Sequence, residues 1–279
     1  MKFEIAIRAS QGQRRGQEDT ALAWPQPDAA SDSVSLMPLP ATIVGQAAAV
    51  LCDGMGGHVG GGMASRLACE AFLPDVARAT GDVRDHLFDA LNLANAALAA
   101  KIASNTEFTG MGSTLVGVYL TADGLSWISV GDSLLYLWRR GKAVLLNEDH
   151  SLAPEIDKLA ESGKITWAAA EADPRRHYLR SALTGDEIEM IDLSERAIPL
   201  QNGDVVVLAS DGIHTLKIQH IAEIISATHA DGAPAIAARL ISTVDAAHVP
   251  HQDNTTVVVI CVRGDATRRP QSPHAPGHV

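Results

Sequence analysis

Cysteine is scarce in this sequence. The 279 residues include only Cys52, Cys69 and Cys261, and no two of them form a Cys-x-x-Cys pair. This small, odd and widely spaced set argues against a disulfide framework and against a thiolate metal site. A chain of this length can bury a substantial core without covalent crosslinks. The sequence therefore favours a reducing compartment, and we expect the protein to be cytoplasmic.

Basic residues are also in deficit. The chain has 22 Lys and Arg residues against 33 Asp and Glu residues, so its formal net charge is −11 at pH 7. This excess of negative charge opposes nonspecific binding to nucleic acid. The sequence also has no uninterrupted apolar run of about 18 residues and no charged leader followed by a long apolar segment. We expect a soluble, unexported protein that binds neither nucleic acid nor a membrane.

The order of the predicted elements indicates an α+β fold. Helical periodicity covers 62–78 and 83–104, with Asp82 as the expected N-cap, and returns at 218–228 and 234–244. Strand-like runs lie before, between and after these helix pairs, at 3–9, 47–51, 114–120, 125–129, 134–139, 143–146, 188–193, 205–209 and 254–262.

The short connectors between strands limit the topology. The segments 121–124 and 140–142 cannot contain crossover helices, so we expect the strands of 114–146 to form an antiparallel meander. We predict a four-layer α/β/β/α sandwich, in which two antiparallel sheets pack face to face with a helix pair outside each. The segment 25–40 is a predicted loop, and 264–279 is a predicted disordered tail.

Acidic residues lie where three of the apolar runs begin or end. Asp53-Gly54 and Asp211-Gly212 follow strand-like runs, and Asp253-Asn254 precedes one. This places oxygen ligands at the ends of buried strands. Carboxylates without matching Cys or His ligands favour hard cations such as Mg²⁺ or Mn²⁺ over a closed zinc site. The pattern suggests a two-metal hydrolase of phosphate esters.

Each of these motifs also has a simpler interpretation when it is taken alone. Asp211-Gly212 is typical of an ordinary turn. The glycines of 54–62 could cradle a nucleotide phosphate, but no Gly-Lys-Ser/Thr follows and no βαβ alternation surrounds them. His248 and His251 could form a zinc cluster with Asp253, but the neighbouring Pro250 favours surface histidines in a loop.

Six short motifs taken together are far more specific. In order they are Gly12-Gln13-Arg14 with Glu18-Asp19, Asp53-Gly54-Met55-Gly56-Gly57-His58, Gly110-Met111-Gly112-Ser113-Thr114, Gly131-Asp132-Ser133, Ser210-Asp211-Gly212 and Asp253-Asn254. This series resembles the metal-dependent protein serine/threonine phosphatases of the PP2C (PPM) family, in the form common among bacteria. The resemblance covers roughly 3–262 and implies a phosphatase domain at 1–263.

The resemblance also implies a role for each residue of the site. Two Mn²⁺ or Mg²⁺ ions would lie at one end of the β-sandwich, and a water activated by them would attack phosphorus. Asp53 would bridge the cations, and the Gly54 carbonyl, Asp211 and Asp253 would complete the direct ligands. Glu18 and Asp19 would hold metal-bound waters. Arg14 would hold the phosphate, since a guanidinium matches paired phosphate oxygens.

Three positions depart from the family pattern. Met55 replaces a histidine that many animal members use as a general acid, and a thioether cannot donate that proton. His58 is a nearby but weak candidate to replace it, and metal-bound water or solvent could protonate the leaving oxygen instead. A third cation would need Asp132 together with an acidic residue at the position of Thr215, so we expect this site to be weakened or absent. Leu134 replaces an arginine.

The segment 147–183 corresponds to the variable flap of the family. Its Arg175, Arg176 and Arg180 could steer phosphopeptides, or could simply be solvated. The resemblance implies phosphoprotein substrates, a serine/threonine kinase whose action is reversed, and a monomeric enzyme. A noncatalytic phosphoprotein-binding module of the same fold is the main alternative, and a phosphatase of small metabolites is a further one.

Overall fold

The computed structural model describes residues 1–24, 41–56, 60–78 and 81–264. The predicted loop 25–40, His58 and all of the predicted tail after Gly264 lie outside these ranges. Among the described residues, no helix combines the length and the apolarity that a membrane crossing requires.

Two antiparallel sheets form the centre of the fold. Strands of the first sheet lie in the order β3 (Ala41–Val44), β1 (Lys2–Ser10), β12 (Thr255–Arg263), β11 (Val205–Ala209), β8 (Leu134–Arg139) and β9 (Lys142–Leu145). Those of the second lie in the order β10 (Asp192–Leu193), β7 (Leu125–Val130), β6 (Leu115–Leu120), β4 (Ala47–Met55) and β2 (Asp19–Trp24). The short β5 (Gly112–Ser113) pairs with the end of β4.

A pair of helices covers the outer face of each sheet. Helices α1 (Gly60–Ala77) and α2 (Val83–Ser104) pack on the second sheet, and α5 (Ile218–Thr228) and α6 (Ala233–Ala246) pack on the first. Asp82 caps α2 as predicted, because its carboxylate accepts a hydrogen bond of 2.8 Å from the Arg84 N–H. The short helices α3 (Ala153–Glu161) and α4 (Trp167–Glu171) lie in the segment that connects β9 to β10.

Strand β11 shows why this arrangement needs long apolar runs. Val205, Val207 and Ala209 contribute to the core beneath α5 and α6, whereas Val206 and Leu208 contribute to the core between the sheets. Successive side chains of a strand point to opposite faces, so a strand covered on both sides must be apolar throughout. The predicted four-layer α/β/β/α sandwich is confirmed.

The predicted continuous meander is wrong in one respect. β6 pairs with β7 in the second sheet, and β8 pairs with β9 in the first, so the segment forms two separate hairpins. The turn at 131–133 carries the chain from one sheet to the other, with Gly131 at φ 98°. Strands β2 and β3 were not predicted, and the predicted strand 188–193 is confined to Asp192–Leu193.

Candidate active site

The site lies where strands of both sheets begin or end. In the second sheet, β2 begins at Asp19, which lies directly opposite Asp53 of β4. In the first sheet, Asp211 follows β11, and Asp253 precedes β12. The two sheets therefore bring acidic residues from four separate segments to the same end of the sandwich.

One open cleft joins most of the predicted site residues. It has a volume of about 1240 Å³. The predicted residues that line it are Arg14, Glu18, Asp53, Gly54, Asp132, Asp211 and Asp253. Asp19 lies behind the cleft wall, where it is buried.

The backbone at Asp53 is held by the Gly-Ser-Thr segment before β6. The Asp53 N–H donates to Thr114 Oγ1 at 3.0 Å, and the Thr114 N–H donates back to the Asp53 carbonyl at 2.9 Å. The Ser113 hydroxyl also donates to this carbonyl, at 3.0 Å. These bonds fix the main chain of Asp53 and leave its carboxylate for the cleft.

Close backbone approach brings Gly54 and Glu18 together at the first turn of α1. A Cβ atom placed on Gly61 would lie 2.9 Å from the Gly54 carbonyl oxygen and 3.0 Å from the Glu18 carboxyl carbon. A Cβ on Gly54 would lie 2.0 Å from the Gly61 carbonyl oxygen. Only glycines permit this approach, and a side chain at Gly61 would enter the space between two oxygen ligands.

Buried carboxylate oxygens in this region have no partner. Within the described residues, Glu18 Oε1, Asp19 Oδ1 and Asp211 Oδ1 are buried and accept no hydrogen bond. Leaving such oxygens unpaired in the interior costs free energy, because they lose their hydration. An all-oxygen donor set of this kind fits a hard divalent cation, which would supply the missing interactions.

The carboxylates of the cluster also shift one another's protonation. Burial raises the pKa of Asp53 well above its usual range, and the charges of Asp19 and Asp211 add to the effect. Burial likewise raises the pKa of Asp19 to about 7 and that of Asp132 to about 8. Burial and the charge of Asp253 raise the pKa of Asp211 to about 6. These shifts indicate a site built for positive charge.

Arg14 lines the cleft from the segment between β1 and β2. Its guanidinium is paired with the Asp253 carboxylate, and about half of its side chain is exposed. The charges of Asp211 and Glu18 also face it. A cation this close to the carboxylates can hold the anionic part of a ligand at their entrance.

Asn254 is a structural residue whose role sequence reasoning did not identify. Its amide nitrogen donates to the carbonyls of Gln11 and Gly16 at 2.9 and 3.0 Å, and its amide oxygen accepts from the Glu18 N–H at 2.8 Å. One side chain thus ties the Arg14 segment to the start of β12. The only sequence signal was its position directly after Asp253.

Thr215 belongs to a neutral hydrogen-bond network. Its hydroxyl donates to the side-chain carbonyl of Gln252, and the Gln252 amide donates to the Gly212 carbonyl at 3.0 Å and to Thr255 Oγ1 at 3.1 Å. No carboxylate stands at this position beside Asp132. The expectation of a weakened third cation site therefore stays a prediction.

The flap forms one wall of the cleft. Arg176 is paired with Asp157, Arg175 with Asp173, and Arg180 with Glu155. Of the three flap arginines, only Arg180 lines the cleft, and it does so together with His177 and Tyr178. Met55 also lines the cleft, and its thioether has no proton to give.

The comparisons with known proteins agree with this geometry. The model of the protein phosphatase 2C family matches residues 41–252, which is most of the chain, so the protein belongs to that family. The serine/threonine protein phosphatase PstP of Mycobacterium tuberculosis is 34% identical over 164 residues. That match covers 58% of this chain and 31% of PstP, so the chain matches about a third of that relative's length.

Solved structures extend the similarity to nearly the whole fold. The crystal structure of the M. tuberculosis phosphatase PstP/Ppp superposes with a TM-score of 0.74 at 28% identity, covering 95% of this chain and 100% of the other. A structure of the PstP catalytic domain in complex with two manganese ions gives a TM-score of 0.72 at 28% identity, covering 94% and 99%.

Proposed function

We propose that this protein hydrolyses phosphoserine and phosphothreonine esters on proteins with the help of divalent cations, and so reverses the action of a serine/threonine kinase. The observation that carries this proposal is a cleft lined by Arg14 and by Glu18 and Asp211, each of which has a buried carboxylate oxygen without a hydrogen-bond partner. Membership of the protein phosphatase 2C family supports it.

The ligands support a site for two cations, Mn²⁺ or Mg²⁺. Asp53, the Gly54 carbonyl, Asp211 and Asp253 would hold the cations. Glu18 and Asp19 would orient water molecules around them. The cations, when bound, supply Lewis-acid chemistry, lowering the pKa of water and neutralising charge on the phosphoryl group.

Arg14 would bind and orient the phosphoryl group. In the described structure its guanidinium is paired with the Asp253 carboxylate. A bound cation would neutralise this carboxylate in place of Arg14. Cation binding would therefore free the guanidinium for two parallel hydrogen bonds to phosphate oxygens. Because the planar fork fixes direction as well as distance, Arg14 would orient the phosphoryl group as well as bind it.

Two alternatives account less well for the site. A noncatalytic binding module has no use for several converging carboxylates, since their mutual repulsion costs stability without a cation. A phosphatase of small metabolites would fit a smaller pocket, because small-molecule sites are usually about 300–1,000 Å³. The observed cleft is larger, at about 1240 Å³, and open enough for a peptide segment.

The test is hydrolysis by purified protein of a phosphothreonine peptide and of p-nitrophenyl phosphate, with Mn²⁺, with Mg²⁺ and with chelator. We expect turnover that requires a cation and that Asp211→Ala abolishes while the fold stays intact. Asp123→Ala, in the exposed turn between β6 and β7, is the matched control and should retain activity. Full activity in Asp211→Ala, or no activity in folded, cation-loaded wild type, would overturn the proposal.

A further inference from the structure

We propose that His177 is the catalytic residue that donates a proton to the departing serine or threonine oxygen. This inference rests on the proposed phosphatase function and concerns the same cleft. His177 ends a short 3-10 helix, Pro174–His177, in the flap. Sequence reasoning did not single it out.

His177 lines the same cleft as Arg14 and the carboxylates. Arg14 reaches this cleft, which Asp53 and Asp211 also line, from the segment between β1 and β2, and His177 reaches it from the flap. Burial raises the pKa of Asp211, and positive charge on His177 and on Arg14 opposes that rise. A phosphoryl group near Asp211 would therefore be within the influence of both the guanidinium and the imidazole.

The flap backbone fixes the position of this histidine. The residue before His177 is anchored, because the Arg176 guanidinium is paired with Asp157 of α3. On the other side, the Leu152 N–H donates to the Tyr178 carbonyl at 2.9 Å, and the Arg180 N–H donates to the His150 carbonyl at 2.8 Å. The chain on both sides of His177 is therefore held in place.

The imidazole itself is free. Within the described part of the chain, no hydrogen bond or ion pair engages the His177 side chain, whereas the adjacent Arg175 and Arg176 are both paired with aspartates. A ring nitrogen of His177 is therefore available to a ligand in the cleft. An unengaged imidazole that lines the cleft and has its backbone held in place is suited to proton transfer.

A side-chain donor of this kind assists the chemistry. Water adds HO to phosphorus and releases its second proton to solvent, while the bond between phosphorus and the ester oxygen breaks. The departing alkoxide is strongly basic, and the proton of the His177 imidazolium moves to it, giving the free hydroxyl and hydrogen phosphate. Solvent then reprotonates the imidazole. Met55 has no proton to give, and Arg14 keeps its protons at any ordinary pH.

His214 is the other histidine of the cleft, and it is less suited to this role. It also lines the cleft, three residues after Asp211. Burial lowers the pKa of His214. Burial therefore disfavours the imidazolium form of His214, which is the form that donates a proton to a leaving group.

The test varies the leaving group while the phosphoryl group stays the same. A nitrophenolate departs without a proton, whereas a phenolate or an alkoxide needs one. We expect His177→Gln to lower kcat on a phosphothreonine peptide by at least about 100-fold. The variant should also have a clearly lower kcat on phenyl phosphate. Its kcat on p-nitrophenyl phosphate should be little changed. The two aryl esters are nearly equal in size, so their comparison separates proton donation from peptide binding.

Two further variants serve as controls. Arg175→Gln lies on the same 3-10 helix, outside the cleft lining, and should behave as wild type on all three substrates. Equal loss on all three substrates in His177→Gln, or no loss on any, would overturn the proposal. If His214→Gln lowered kcat only on the substrates with poor leaving groups, the result would instead identify His214 as the donor. If wild type hydrolyses none of the esters, the phosphatase proposal itself fails.

Discussion

Asp19 and Asp53 lie directly opposite each other across the ladder between β2 and β4. Like charges at facing positions of a sheet destabilise it, and here both residues are largely withdrawn from water. Ser210 satisfies one oxygen of Asp19 through a hydrogen bond of 2.8 Å and leaves the other unpaired. The pair is therefore a source of instability that a bound cation would remove.

One prediction concerns pH and stability without metal. Between pH 6.5 and pH 8 the buried carboxyls with raised pKa dominate, because the lowered pKa of His150 and of His214 contributes the opposite change mostly below this range. The folded protein binds protons at Asp19 up to about pH 7 and at Asp132 up to about pH 8, whereas the unfolded chain has released them. Since the folded state then holds more protons, its stability falls as pH rises from 6.5 to 8, by about 2 kcal/mol.

Urea unfolding in chelator at pH 6.5 and pH 8 measures this difference. Asp132→Asn removes the group with the higher pKa and should flatten the dependence. Saturating Mn²⁺ should stabilise the wild type more at pH 8 than at pH 6.5. A metal-free stability that rises over this range would contradict the prediction.

A second prediction concerns the glycines of α1. Gly61→Ala would place a methyl group 2.9 Å from the Gly54 carbonyl oxygen, so we expect cation affinity to fall by about tenfold or more and turnover to fall with it. Gly62→Ala is the matched control, because its methyl group would meet nothing closer than 3.4 Å. Calorimetric titration with Mn²⁺ compares them, and equal affinity in the two variants would refute the steric argument.

A third prediction concerns the position of Thr215. Thr215 lines the cleft and donates a hydrogen bond to Gln252. The Thr215→Asp variant would have a carboxylate at this position. We expect the variant to bind one more Mn²⁺ ion than wild type, together with Asp132, because a carboxylate is the better ligand for a hard cation. Thr215→Asn has a similar size without the charge and should bind the wild-type number. The same stoichiometry in Thr215→Asp and wild type would argue against a third site here.

The sequence was most informative where local pattern and chemistry coincide. Asp53, Asp211 and Asp253 adjoin strongly apolar strands, and such runs predict buried strands whose ends can be located within a residue or two. The helix pairs were equally visible because their apolar periodicity is long. In these places the strands and the acidic residues that line the cleft could be predicted together.

The sequence was less informative where long-range pairing sets the outcome. Nothing local indicates that β8 joins the first sheet, since this depends on the pairing of Leu134 with Ala209 of β11. His177 belongs to an irregular segment, and only the return of the flap onto the cleft brings it towards Asp211. Asn254 is similar, because its three partners lie more than 230 positions away along the chain.

Strand β12 lies between β1 and β11, and the hydrogen bond between Glu18 and Asn254 spans 236 positions. During synthesis the ribosome releases Glu18, Asp53 and Asp211 long before this strand. The first sheet can close only when β12 inserts between its two neighbours, and such non-local pairing is slow. A nascent chain therefore carries most of the acidic residues of the cleft before the cleft can form, and any ability to bind the proposed cations would appear late, as one of the final events of folding.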